Sequence, residues 1–166
     1  GGEGSDRGHG HAIYTQNNTG VKRLLDNIMF DGLSYGLHAY TEGGRINNFY
    51  VEGNVAFKNN FLIGGYQTAQ NPQFVSNYSF PGQGTNLGYS KGCNYPVVQN
   101  NYLAGGITLV NCTDVTLTGN TINGTTYQSS FPQNTYYTTT PTGNVIFVHP
   151  NQYESGRANI TVYNWE

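Results

Sequence analysis

Five segments of this chain hold an asparagine in one local frame. They are Leu24-Leu25-Asp26-Asn27-Ile28, Val51-Glu52-Gly53-Asn54-Val55, Phe74-Val75-Ser76-Asn77-Tyr78, Val98-Gln99-Asn100-Asn101-Tyr102 and Leu117-Thr118-Gly119-Asn120-Thr121. Asn27, Asn54, Asn77, Asn101 and Asn120 are 27, 23, 24 and 19 residues apart, and each follows an apolar residue by three places. A repeat of this length, rich in β-formers and turn residues, is what a solenoid leaves in a sequence. Asparagine suits the turn between strands because it tolerates left-handed backbone angles. Coils stacked about 4.8 Å apart also let its side-chain amides bond up and down the column.

A second series keeps the same register. Ala12-Ile13-Tyr14-Thr15-Gln16 is followed 24 residues later by Gly36-Leu37-His38-Ala39-Tyr40, and apolar residues recur near that place at Ile63, Leu87 and Leu109. Cys93 and Cys112 each stand eight residues before a repeat asparagine. Equivalent positions on neighbouring coils lie within disulfide range, so the two are either bonded or stacked as buried thiols.

Length and composition agree with one all-β domain over 1–166. Only 10% of residues are charged, while 14% are aromatic, and the net charge is −2. That balance excludes a disordered polyelectrolyte. Seven Lys and Arg give no basic stripe for a nucleic-acid backbone. No apolar run nears the roughly 20 residues that span a bilayer. The opening Gly1-Gly2 is expected of a processed end or a piece of a longer chain.

The expected layout is a glycine-rich lead-in at 1–11, five coils from about 12 to 124, and a charge-free lateral loop at 125–143. Lateral turns are expected at 64–73 and 81–93. A sixth coil is expected at Gly143-Asn144-Val145-Ile146-Phe147, which echoes Gly53-Asn54-Val55-Ala56-Phe57. Residues 21–31 carry the helix-spaced pairs Leu24/Ile28 and Leu25/Met29 but hold a repeat asparagine, and are read as β. The chain closes on an alternating strand, Ala158-Asn159-Ile160-Thr161-Val162-Tyr163-Asn164-Trp165.

These segments resemble the right-handed parallel β-helix proteins of the pectin-lyase-like superfamily, the carbohydrate-binding and sugar-hydrolase repeats. The residues that carry the resemblance are Gly10-His11-Ala12-Ile13-Tyr14-Thr15-Gln16-Asn17, Tyr35 to Tyr40, Val51 to Phe57 and Gly156 to Trp165. The resemblance implies a right-handed parallel β-helix of five to six coils, an extracellular or cell-surface setting, and carbohydrate as the ligand class. The Asp, Lys or Arg clusters common in enzymes of that fold do not map onto this chain residue by residue.

Candidate chemistry gathers around His9, His11, Tyr14, Gln16, His38, Tyr40 and Glu42. In the register above Tyr14 lies over His38 and Gln16 over Tyr40, all projecting from one face. Tyrosine rings beside amides and hydroxyls suit sugars, which offer apolar C–H faces and hydroxyl edges, so Tyr14, Gln16, His38, Tyr40, Tyr136 and Tyr137 are the expected carbohydrate contacts. A lyase or epimerase acting on a uronate glycan needs a base and a cation, for which His38 or Tyr40 and Arg45 or Arg7 are the candidates. His9 and His11 are the candidates for a divalent metal, although no cofactor is expected. The principal expectation is a non-catalytic, structural or carbohydrate-associated module. Uncapped coil ends add the expectation that copies stack end to end.

Overall fold

The computed structural model describes residues 10–82 and 84–165. All regular elements among them are β-strands, and none is a helix long and apolar enough to cross a membrane. The chain winds as a parallel β-solenoid. One sheet stacks Ile13–Thr15, Leu37–Ala39, Phe61–Ile63, Thr85–Leu87 and Ile107–Leu109, so four complete turns separate its first and last strands. A second sheet stacks Lys22–Leu25, Phe49–Glu52, Gln73–Val75, Val97–Gln99 and Thr116–Thr118. The third runs Ile28–Phe30, Val55–Phe57, Tyr78–Ser79, Tyr102–Leu103, Thr121–Asn123 and Thr135–Tyr137. A narrow strip of Ala69–Gln70, Cys93–Asn94 and Cys112–Thr113 lies between the first and second sheets in chain order.

Alternation along each short strand sends one set of side chains inward. Leu24, Val51, Phe74, Val98 and Leu117 stand in one column, and the last four are fully buried. These are the apolar residues three places before each repeat asparagine. Met29, Ala56, Leu103 and Ile122 belong to a second inward column. Leu37 and Phe61 share a third, and Phe61 meets Phe74 edge to face at 5.0 Å across the interior. Each side chain of this size contributes about 1.5–3 kcal/mol when fully buried.

The asparagines form an unbroken ladder. Side-chain amides donate from Asn27 to Asn54 (2.7 Å), Asn54 to Asn77 (3.0 Å), Asn77 to Asn101 (3.1 Å) and Asn101 to Asn120 (2.8 Å). Each acceptor oxygen also takes the backbone N–H of the asparagine one rung earlier. The left-handed residue of the turn is not the asparagine, as expected, but its predecessor. Asp26, Gly53, Ser76, Asn100 and Gly119 have φ of 57, 67, 52, 56 and 67°. The sharp bend falls on that residue, which turns the asparagine inward, where its amide satisfies backbone groups that face no water.

Three other expectations are corrected. Residues 64–73 and 81–93 are not merely lateral turns, because Ala69–Gln70 and Thr85–Leu87 inside them are rungs of the column. Gly143 to Phe147 does not begin a sixth coil. Asn144–Pro150 pairs antiparallel with Ala158–Asn164, because a period-two pattern suits a hairpin as well as a rung. The sixth ladder position belongs instead to Asn134, whose Oδ1 accepts from the Asn120 amide at 2.8 Å.

The hairpin lies on the outer face of the third sheet. Phe147 and Tyr163 pack on Tyr78 and Tyr102, and the Tyr163 hydroxyl donates to the Ser79 carbonyl at 2.9 Å. Its far end reaches the first rung, where His149 Nε2 lies 2.7 Å from Asp26 Oδ1 and Asn159 donates to the Asp26 carbonyl. Gly53 sits directly above. A Cβ there would overlap both the Asp26 carboxylate and the His149 ring.

Residues 125–137, expected within a lateral loop, engage the ends of all three sheets. The Tyr127 hydroxyl accepts from Leu109 N–H, and the side-chain amides of Gln133 and Asn134 donate to the Leu117 carbonyl. Thr135–Tyr137 then pairs with Thr121–Asn123. Tyr127, Phe131 and Tyr136 pack against the core from that end.

Candidate functional site

The first sheet bears the site on its outward face. Ile13, Thr15, Leu37 and Ala39 point inward, so Tyr14 and His38 between them project outward in direct register. The same 24-residue offset puts His11 over Tyr35, with ring centroids 5.7 Å apart. These rings, with Tyr40, Glu42, Leu62 and Tyr89, line an open cleft of about 650 Å³. Leu62 belongs to the outward column below His38, yet is only 3% exposed, and serves as the apolar floor.

Turns stacked rung on rung deliver the remaining rings. Thr41, which is buried, accepts the Gly44 N–H through its hydroxyl at 2.7 Å, and this closes the turn that carries Glu42. The backbone ladder continues past the strands, from Gly64 N to the Ala39 carbonyl and from Tyr66 N to the Thr41 carbonyl. Gly64 passes so close to the backbone of Gly88 that a Cβ would not fit. That close stacking brings Tyr40, Tyr66 and Tyr89 from successive turns to one place.

His38 is the hub of the cleft. Its ring stacks on Tyr35 at 4.7 Å and on Tyr40 at 4.8 Å, and meets Tyr14 edge-on at 5.3 Å. Its Nδ1 lies 2.9 Å from His11 Nε2, so one imidazole donates to the other. Burial, aided by the neighbouring His11, lowers the His38 pKa to about 4. The ring is therefore neutral at pH 7. Burial, then the Glu42 charge, raises the Tyr40 phenol above its ordinary value, which keeps it protonated.

The structure thus brings together His11, Tyr14, His38, Tyr40 and Glu42 of the sequence-derived set. Gln16 is exposed beside the Gly44 turn and is not a lining residue. Tyr136 and Tyr137 belong to the third sheet. The Tyr136 hydroxyl lies within 3.1 Å of the Tyr127 and Phe131 carbonyls, and the Tyr137 hydroxyl is buried beside Tyr102. Arg45 is exposed beyond the Gly44 turn and does not line the cleft. His9 and Arg7 lie outside the described residues. Among the described residues no cluster of three or more His, Cys, Asp or Glu could hold a metal ion.

Tyr35, Tyr66, Tyr89 and Leu62 were not anticipated. A signal for Tyr35 existed in its 24-residue offset from His11, and for Tyr89 in the pairing of Gly64 with Gly88 at the same offset. Cys93 and Cys112 face each other on neighbouring rungs and are joined as a disulfide on the wall next to this face. Comparison of the chain with protein-family models, with curated proteins and with solved structures finds no match.

Proposed function

We propose that this chain is a non-catalytic carbohydrate-binding module, with the aromatic cleft on its first sheet as the glycan site. The observation that carries the reading is the contiguous row Tyr35, His38 and Tyr40, stacked at 4.7 and 4.8 Å over an apolar floor. Neutral rings of this kind give sugar C–H faces a surface, while phenol hydroxyls meet their hydroxyl groups. The likeness to pectin-lyase-like β-helices supports the ligand class by analogy of fold alone. The disulfide supports an extracellular or cell-surface setting.

The lyase reading has less support. Among the described residues Glu42 is the charged member of the cleft lining, and no Lys or Arg stands there to neutralise a uronate carboxylate. An imidazole with a pKa near 4 is a poor acceptor for an α-proton, and a phenol held protonated is no better. End-to-end stacking would have to begin at the first rung, because 125–134 already engages the edges of the last.

Affinity electrophoresis in gels cast with soluble β-glucan, mannan or xylan tests the reading. Wild-type protein is expected to be retarded by at least one of them, and Tyr40→Ala to run as in an empty gel. Retardation that survives Tyr40→Ala and Tyr35→Ala together, or unsaturated product absorbance from a uronate polymer, would overturn it.

A further inference from the structure

We propose that the cleft prefers sugars that bear an ammonium group, the amino-sugar units of a glycan, with the cation received by Tyr40, Tyr66 and Tyr89 and paired with Glu42. The inference rests on the glycan-binding reading and narrows its ligand.

Tyr40, Tyr66 and Tyr89 come from three successive turns of the column, and their centroids are 6.1, 5.7 and 5.7 Å apart. Their planes meet at 70, 79 and 90°, so the rings form a corner rather than a stack. Tyr40 and Tyr89 line the cleft and Tyr66 stands beside them at its edge; Tyr66 and Tyr89 keep 45% and 40% of their surface open, which leaves ring surface for a ligand. A positive group within about 6 Å of such rings is drawn to the negative face of the π-system.

Glu42 supplies the second half of the recognition. It is exposed on the turn that follows Tyr40, it lines the same cleft, and its charge is felt at the Tyr40 hydroxyl. Two further facts set the sign of the selectivity. Among the described residues the lining holds no Lys or Arg, and His38 is neutral at pH 7. A uronate would therefore meet like charge and electron-rich rings. A neutral sugar would gain stacking alone. An ammonium-bearing sugar would gain stacking, the π-attraction and an ion pair together.

The test is calorimetry at low ionic strength with three hexamers: glucosamine, N-acetylglucosamine and galacturonate. The glucosamine hexamer is expected to bind tightest, by roughly fivefold over its N-acetylated form, with an advantage that shrinks as salt is added. Glu42→Gln is expected to erase most of that advantage. Asp114→Asn, which removes a carboxylate from a turn elsewhere, should not change it. Equal affinities for the two hexosamine hexamers, an advantage that persists in Glu42→Gln, or tightest binding of galacturonate would overturn the selectivity while sparing the glycan reading. Binding of none of the three, with no retardation by the neutral polysaccharides either, would defeat both.

Discussion

Asn120 donates its side-chain amide to Asn134 at 2.8 Å across only 14 residues, where the earlier ladder partners are 19 to 27 apart. The short interval exists because 125–134 crosses from the Leu109 edge to the Leu117 edge without building another strand on the first sheet. Asn134 thus ends the ladder and ties this segment to the core.

The ladder predicts graded costs. Asn77 is fully buried, and its loss would strand the Asn54 N–H and take a donor from the carbonyls of Val51 and Val75, the latter keeping the Gly53 N–H. Asn77→Ala is expected to destabilise by about 2–3 kcal/mol, since each orphaned buried group costs about 1–3. Asn27→Ala, at the partly exposed first rung, should cost less than half as much. Urea midpoints read the difference, and equal costs at the two positions would contradict a cooperative column.

His38 predicts an acid-side weakness. An unfolded histidine titrates near 6.5, whereas the folded ring takes its proton only near pH 4. Between those values the unfolded chain binds more protons, so stability falls as the pH drops through the window and is insensitive to this group above it. Wild-type protein should therefore lose stability from pH 7 to 4.5, and His38→Asn should lose less. A His38 resonance that titrates near 6.5 in the folded protein would rule out the buried, stacked ring described above.

Association is predicted to stop early. A filament of head-to-tail copies needs both ends of the column open, and Tyr127, Gln133 and Asn134 occupy the edges of the last rung. Light scattering over a wide concentration range should give a monomer or a single dimer step. Long, growing particles seen by electron microscopy would show that the C-terminal cap opens.

The sequence made the column legible and left much of its surface unread. The inward column of Val51, Phe74, Val98 and Leu117 and the register of Tyr14 over His38 followed from alternation and spacing alone. So did the pairing of Cys93 with Cys112, although only the structure distinguishes a disulfide from stacked thiols. Tyr66 and Tyr89 escaped because they sit in turns, where the repeat changes length and the frame loses phase. Asn134 has the right frame, with Phe131 three places before it and Thr135 after, but its interval fell outside the repeat. The hairpin was read as a coil because Asn144 to Phe147 mimics a rung, and nothing local records that its partner strand runs antiparallel.

The central claim is that the aromatic face of the first sheet is the glycan site. Backbone and aromatic NMR spectra recorded during titration with a neutral or amino-sugar oligosaccharide test it most directly. The account predicts saturable shifts confined to Tyr14, Tyr35, His38, Tyr40, Leu62 and Tyr89 and their immediate neighbours. Shifts centred on Tyr136 and Tyr137 or on the hairpin, with this face unchanged, would contradict it.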